Sequence, residues 1–301
     1  MLRAASGWMN RQPYLLLFLA TLFWGGNVVA GKLVVGEISP MATTFLRWVI
    51  SCAVLGLVIR RQIASELRIL LPSWLYVLLM GAFGFTAFNA LFYAAAHHTA
   101  GINIAIIQGA TPILILIGSL VFLRVRSSAL QVIGVLTTLA GVALTASRGD
   151  LGVLLGLSFN RGDLWVLLAS LVYAGYTIGL RWRPAVSALV FFMGAAVAAC
   201  LTSVPLVAWE WATGTLDWPG PKGWLVLLYV GLFPSLFCQL WYMRGVELIG
   251  VNRAAGFYNL LPVFGALLST VILGEDFHLY HALALALVLG GIFVAERGRA
   301  R

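Results

Sequence analysis

The chain has 301 residues, 61% of them hydrophobic and only 10% charged, with a formal net charge of +9. Soluble domains carry about 25% charged residues, so a water-soluble fold is excluded. Nearly every residue must lie in a membrane span or a short connection, and the runs lack the alternation of barrel strands.

A bilayer core needs roughly 20 apolar helical residues per crossing, and ten candidate spans follow in order. The first covers 13–35 and holds Trp24 and Asn27. Two arginines precede it, but it is long enough to span and no small-residue cleavage site follows, so a retained helix is expected rather than a signal peptide. The second covers 40–59, and Arg47 lies about seven residues in, roughly 10 Å at helical rise. Its head is expected to snorkel outward or to reach a carbonyl. The third, 73–96, presents Thr86, Asn89 and Tyr93 at helical spacing, with the adjacent His97 and His98 expected as an interfacial cap. The fourth, 102–123, carries Gln108 four residues before Pro112, and the fifth covers 128–147.

After a loop at 148–162, the sixth span (163–180) holds Tyr173 and Tyr176, and the seventh covers 185–209. A second long loop, 210–222, leads to the eighth (223–243), with Ser235, Gln239 and Tyr242 along one face. The ninth (254–273) has Tyr258 four residues before Pro262, and the tenth covers 278–295. Proline lacks an N–H, so the carbonyls of Gln108 and Tyr258 are expected to lose their helical partners. Cys52, Cys200 and Cys238 all fall within spans. An odd number so placed argues for packing and against a disulfide framework.

Basic residues orient the chain. With the N-terminus in the cytoplasm, fourteen of the 19 Lys and Arg lie inside, among them Arg60, Arg61, Arg124, Arg181, Arg183, Arg244 and Arg253. Lys32, Arg148, Arg161 and Lys222 lie outside with Glu37, Glu210, Asp217 and Asp276. This bias predicts that both termini are cytoplasmic and that the helix count is even. It also explains the net charge without a nucleic acid partner.

The chain repeats itself at a spacing of about 149 residues. LATLFWGG (19–26) aligns with LASLVYAG (168–175), and LFYAAAHHTAGIN (91–103) with LWYMRGVELIGVN (240–252). Thr86 thus falls on Ser235, Tyr93 on Tyr242 and Asn103 on Asn252. Two halves, 1–150 and 151–301, are expected to carry five spans each, and the odd number inverts the second half. The expected fold is an all-α polytopic membrane protein of about ten transmembrane helices, as two inverted five-helix repeats. Such repeats place a substrate site near the midplane between halves.

LATLFWGGNVVAGKLVVGEISPMATTFLRWVISCAVL (19–55) resembles the opening of EamA-type members of the drug/metabolite transporter superfamily, and 260–294 is similar to that family's closing helices. The aromatic interior most resembles bacterial aromatic amino acid exporters of the YddG type. The resemblance implies helices in a basket around a central cavity, and efflux of amino acids or related metabolites across the inner membrane.

The stretch GNVVAGK (26–32) fits the core of a phosphate-binding loop, but Leu33 replaces the required Ser/Thr and no strand precedes it. An ATP-binding role is rejected, and no cofactor, metal site or catalytic constellation is expected. Polar residues inside spans are costly unless they line a cavity or find partners. Trp24, Asn27, Thr86, Asn89, Tyr93, Gln108, Tyr173, Tyr176, Ser235, Gln239, Tyr242 and Tyr258 are therefore the candidate substrate-binding residues. Their competing role is helix glue and packing. No Asp or Glu sits near the middle of a span, which disfavours carboxylate-based proton coupling. Phosphorylated substrates are disfavoured too, because fixed cations are scarce. A neutral or zwitterionic small molecule fits best. The favoured expectation is an amino acid carrier, and the alternatives are a broad drug or metabolite exporter or, further off, an intramembrane enzyme or lipid-handling protein.

Overall fold

The computed structural model describes residues 11–34, 37–96, 98–99, 107–156, 160–274, 276 and 278–298. Among these, the secondary structure is entirely helical. The helices are α1 (Pro13–Val34), α2 (Pro40–Leu70), α3 (Trp74–Gly81), α4 (Phe88–Ala96), α5 (Thr111–Leu123), α6 (Ala129–Ala146) and α7 (Leu151–Leu155). Then follow α8 (Arg161–Gly179), α9 (Ala188–Ala212), α10 (Pro221–Leu232), α11 (Cys238–Ile249), α12 (Val251–Phe257), α13 (Leu260–Leu273) and α14 (Leu279–Arg297). Seven helical stretches of the described residues are long and apolar enough to cross a membrane, and Ile107–Leu123 is a shorter apolar helix. The chain is a polytopic membrane protein.

Several boundaries differ from the sequence expectation. The residues between the second and third predicted spans are helical, so Pro40–Phe92 forms one 53-residue run. It bends at Ile59 (φ −108°, ψ 16°) and tightens into a 3₁₀ turn at Leu71–Ser73. Hydropathy marks where helix meets lipid, and the polar continuation with Arg60 and Arg61 lies beyond that signal. The 148–162 loop contains α7. Glu210, placed in the second long loop, instead belongs to the last turn of α9.

Two pairings organise the core. α6 and α14 approach most closely at Gly134 and Gly291, where an added Cβ on either glycine would meet the other's carbonyl oxygen at 2.4 and 2.6 Å. Small residues permit this backbone contact in a membrane, where dispersion and not water drives association. α2 packs along α9, and each begins at an N-terminus met by a carboxylate of the other. Glu210 accepts from Ser39 Oγ (2.6 Å), Met41 N (2.9 Å) and Ala42 N (3.2 Å). At the far end, Glu66 accepts from Ser187 N at 2.5 Å. Helix N-termini leave backbone donors unsatisfied, and a carboxylate both pairs them and complements the dipole.

Candidate functional site

The site begins with two irregular turns. Ala82–Ala87 joins α3 to α4 as a π-helical turn, and Phe233–Phe237 joins α10 to α11 in the same way. Such bulges loosen the helical ladder and recur at functional sites. Thr86 lies in the first and Ser235 in the second. Thr86 Oγ1 donates to the Ala199 carbonyl (3.1 Å) and lies 2.8 Å from Thr202 Oγ1, so its hydroxyl is bound to α9. Ser235 Oγ donates to the Val230 carbonyl five residues back, at 2.7 Å.

Arg47 corrects the expectation from sequence. It does not snorkel outward, but lies buried with Nε donating to Ser235 Oγ at 2.7 Å. One of its terminal nitrogens reaches Asn89 Oδ1 at 3.4 Å, and its guanidinium lies 5.4 Å from the centre of the Trp48 ring. Two candidate residues from different helical pairs are thereby tied to one cation that sequence reasoning left aside. Its signal was available, since a charge seven residues into an apolar span demands a partner.

Beside this tie, five of the candidate aromatic residues converge. Trp24 sits 5.5 Å from Tyr242 and 6.0 Å from Tyr258 between ring centroids. Tyr173 lies 5.3 Å from Tyr258, 6.3 Å from Tyr242 and 5.8 Å from Tyr176. These separations fall within the range of favourable aromatic pairs. Phe88 and Phe85, not singled out in the sequence, extend the group by touching Tyr173 and Tyr176. Trp24 Nε1 is fixed by the Pro234 carbonyl at 2.9 Å, inside the second π turn.

Not all candidates join this group. Asn27 is half-buried one turn beyond Trp24, and Gln108 is half-buried at the start of its helix. Gln239 is buried on α11. The side chain of Tyr93 lies outside the described residues, as do His97 and Asn103. The Tyr258 carbonyl, expected to be free because of Pro262, instead accepts from Leu261 N at 3.1 Å. A tighter i+3 bond replaces the one that proline removes.

Several buried polar atoms of this region have no partner in the protein, namely the hydroxyls of Tyr173 and Tyr176, Gln239 Oε1 and Trp48 Nε1. Each such group costs on the order of 1–3 kcal/mol. A cavity of about 880 Å³ lies alongside, lined by Thr177 and Met243, the chain neighbours of Tyr176 and Tyr242, while none of the five clustered aromatic residues lines it. Small-molecule sites typically occupy 300–1,000 Å³. The mouth of the cavity carries Arg181, Arg183, Glu247 and Arg253. Glu247 pairs there with Arg183 and, at 2.9 Å, with Arg244. The end of the molecule where α2 begins is held differently. Ser39 N donates to the Asp217 carbonyl at 3.1 Å, Lys222 pairs with Glu37 at 3.3 Å, and Glu210 caps α2.

Two stretches, residues 11–147 and 160–296, each match the EamA-like transporter family. The chain belongs to that family. It is 30% identical to the uncharacterized transporter YetK of Bacillus subtilis, across 93% of this chain and 86% of that protein. The uncharacterized inner membrane transporter YedA of Escherichia coli K12 is 26% identical, across 94% and 90%. A crystal structure with 22% identity superposes with a TM-score of 0.78, covering 94% of this chain and 96% of the other. That likeness concerns the fold alone. Family and relatives mark a membrane transporter rather than an enzyme.

Proposed function

We propose that this transporter exports amino acids, aromatic and other neutral ones, across a bacterial inner membrane by alternating access. The observation that carries the reading is the buried aromatic cluster, in which the Tyr173 and Tyr176 hydroxyls have no partners. Rings offer a stacking surface to a flat apolar body, while the hydroxyls and Gln239 suit a polar head. A bound zwitterion offsets the desolvation that these groups otherwise bear. Trp24, Asn27, Thr86, Asn89, Tyr93, Gln108, Tyr173, Tyr176, Ser235, Gln239, Tyr242 and Tyr258 are the substrate-binding residues in this reading, with Arg47 holding Ser235 and Asn89 in place. The subtype it resembles is the aromatic amino acid exporter of the YddG type.

The architecture in this reading is two inverted five-helix halves, 1–150 and 151–301, with ten helices in all. The paired π turns and the two reciprocal helix caps support it. Both termini and the arginine-bearing mouth then face the cytoplasm by the positive-inside rule, so the cavity opens to the side from which an exporter loads. Counterflow in proteoliposomes with a panel of labelled amino acids tests the function. Exchange of phenylalanine, tyrosine or tryptophan is expected without ATP or an imposed pH gradient. Exchange of drug-like molecules with none of any amino acid would turn the reading to a broad exporter.

A further inference from the structure

Asn252 stands on the cavity wall, ten residues after Tyr242 and six before Tyr258 in the chain. α11 ends at Gly250, whose φ of +85° allows the sharp turn into α12. α12 then packs on α5 and α8 through Val251 and Ala255, which places Asn252 beside the cavity with Thr177 and Arg253. Asn252 is 9% exposed, and neither Nδ2 nor Oδ1 has a hydrogen-bond partner. Packing does not explain this residue. Leucine has a similar volume, and replacing an unsatisfied amide with an apolar group of the same shape is neutral or stabilising. An amide orphaned at both ends beside a cavity in a transporter is accounted for by a ligand.

We infer that Asn252 forms an entry subsite for the ammonium and carboxylate of an α-amino acid on its way to the aromatic cluster. The proposal rests on the amino acid reading above. Oδ1 and Nδ2 share one carbon, as the ammonium and carboxylate of an amino acid do, so acceptor and donor meet donor and acceptor in parallel. Arg253, the next residue on the same wall, is paired with Glu296 at 2.9 Å, so the amide and not a free charge does the recognition. Both amide atoms are screened from solvent in this conformation, so the wall repacks locally as the ligand engages.

The test measures exchange kinetics in proteoliposomes for wild type, Asn252→Leu and Asn252→Asp. Each is assayed with an aromatic amino acid, its N-acetyl and methyl ester derivatives, and the corresponding decarboxylated amine. Two lost hydrogen bonds correspond to roughly a 5- to 150-fold rise in KM for Asn252→Leu, with maximal rate within about two-fold. Asn252→Asp keeps the acceptor for ammonium but repels carboxylate, so its preference shifts toward the amine. A subsite of this kind also makes both blocked derivatives poor competitors against the wild-type protein, which needs no variant to fold. An unchanged KM for Asn252→Leu, or blocked derivatives competing as well as the parent, overturns the subsite. Wild-type protein that exchanges no amino acid at all brings down the functional reading, and the subsite with it.

Discussion

Cys52 Sγ and Cys200 Sγ lie 3.9 Å apart, at the contact of α2 and α9, from positions 148 apart in the chain. Ser39 and Ser187 are separated by the same interval, and each opens one of these two helices. The two thiols thus mark the crossing of α2 and α9. With Glu210 capping α2 at one end and Glu66 meeting Ser187 at the other, the pair is pinned at both ends and in the middle.

A crosslink between these thiols should therefore leave transport intact. In a Cys238→Ala background, mild oxidation is expected to convert Cys52 and Cys200 to an intramolecular disulfide, seen as a mobility shift that dithiothreitol reverses. Exchange activity should persist in the crosslinked protein, because α2 and α9 move as one body. Activity abolished by oxidation and restored by reduction would show that they part during the cycle.

Glu210 should matter for stability well beyond an ordinary surface carboxylate. It satisfies one hydroxyl and two backbone donors while buried. Helix caps contribute about 0.5–2 kcal/mol, and Glu210→Ala is expected at the upper end of that range. Glu210→Gln, which keeps an acceptor, should cost less. Thermal unfolding in detergent should rank wild type above Glu210→Gln above Glu210→Ala, and equal stability of all three would remove the cap from the account.

The tyrosine hydroxyls give a prediction with an unusual sign. Tyr173→Phe and Tyr176→Phe remove buried unpartnered groups, so melting temperatures should hold or rise. KM for an aromatic amino acid should nonetheless increase about five-fold or more for each. Loss of stability with unchanged KM would mark the hydroxyls as structural.

Arg47 is expected to behave as a fork rather than as a charge. Arg47→Lys retains the charge but cannot hold Ser235 and Asn89 together from one planar group. Arg47→Ala leaves those acceptors without their donor, at a cost of roughly 1–3 kcal/mol. Both should unfold at lower temperature, with Lys intermediate. A lysine variant as stable and active as wild type would reduce Arg47 to a source of charge.

Much of the scaffold was legible in the sequence, and the site less so. Trp24, Tyr173, Tyr242 and Tyr258 were picked one at a time as aromatic residues inside spans, and they stand next to one another in the fold. Arg47 was noticed without Ser235 and Asn89 as its partners, because its depth along α2 could be counted while the direction of its side chain could not. Glu210 was put in a loop because TGTLDWPGPK just after it carries turn residues, and nothing local reveals that α2 begins beside it. Asn252 entered the sequence reading only as the counterpart of Asn103, since an amide one residue into a helix carries no sign of whether it finds a partner.

By itself the sequence determined that this chain lives in a bilayer and is built of helices, because transfer free energy adds residue by residue along a span and is readable without neighbours. It also carried the family's marks in both halves. Only the tertiary structure decided that Arg47 meets Ser235, that Glu210 closes the start of α2, and that the Asn252 amide is left without a partner. Those outcomes depend on contacts between residues up to 188 positions apart. Hydrogen bonding in a medium without water is settled by such contacts and not by composition.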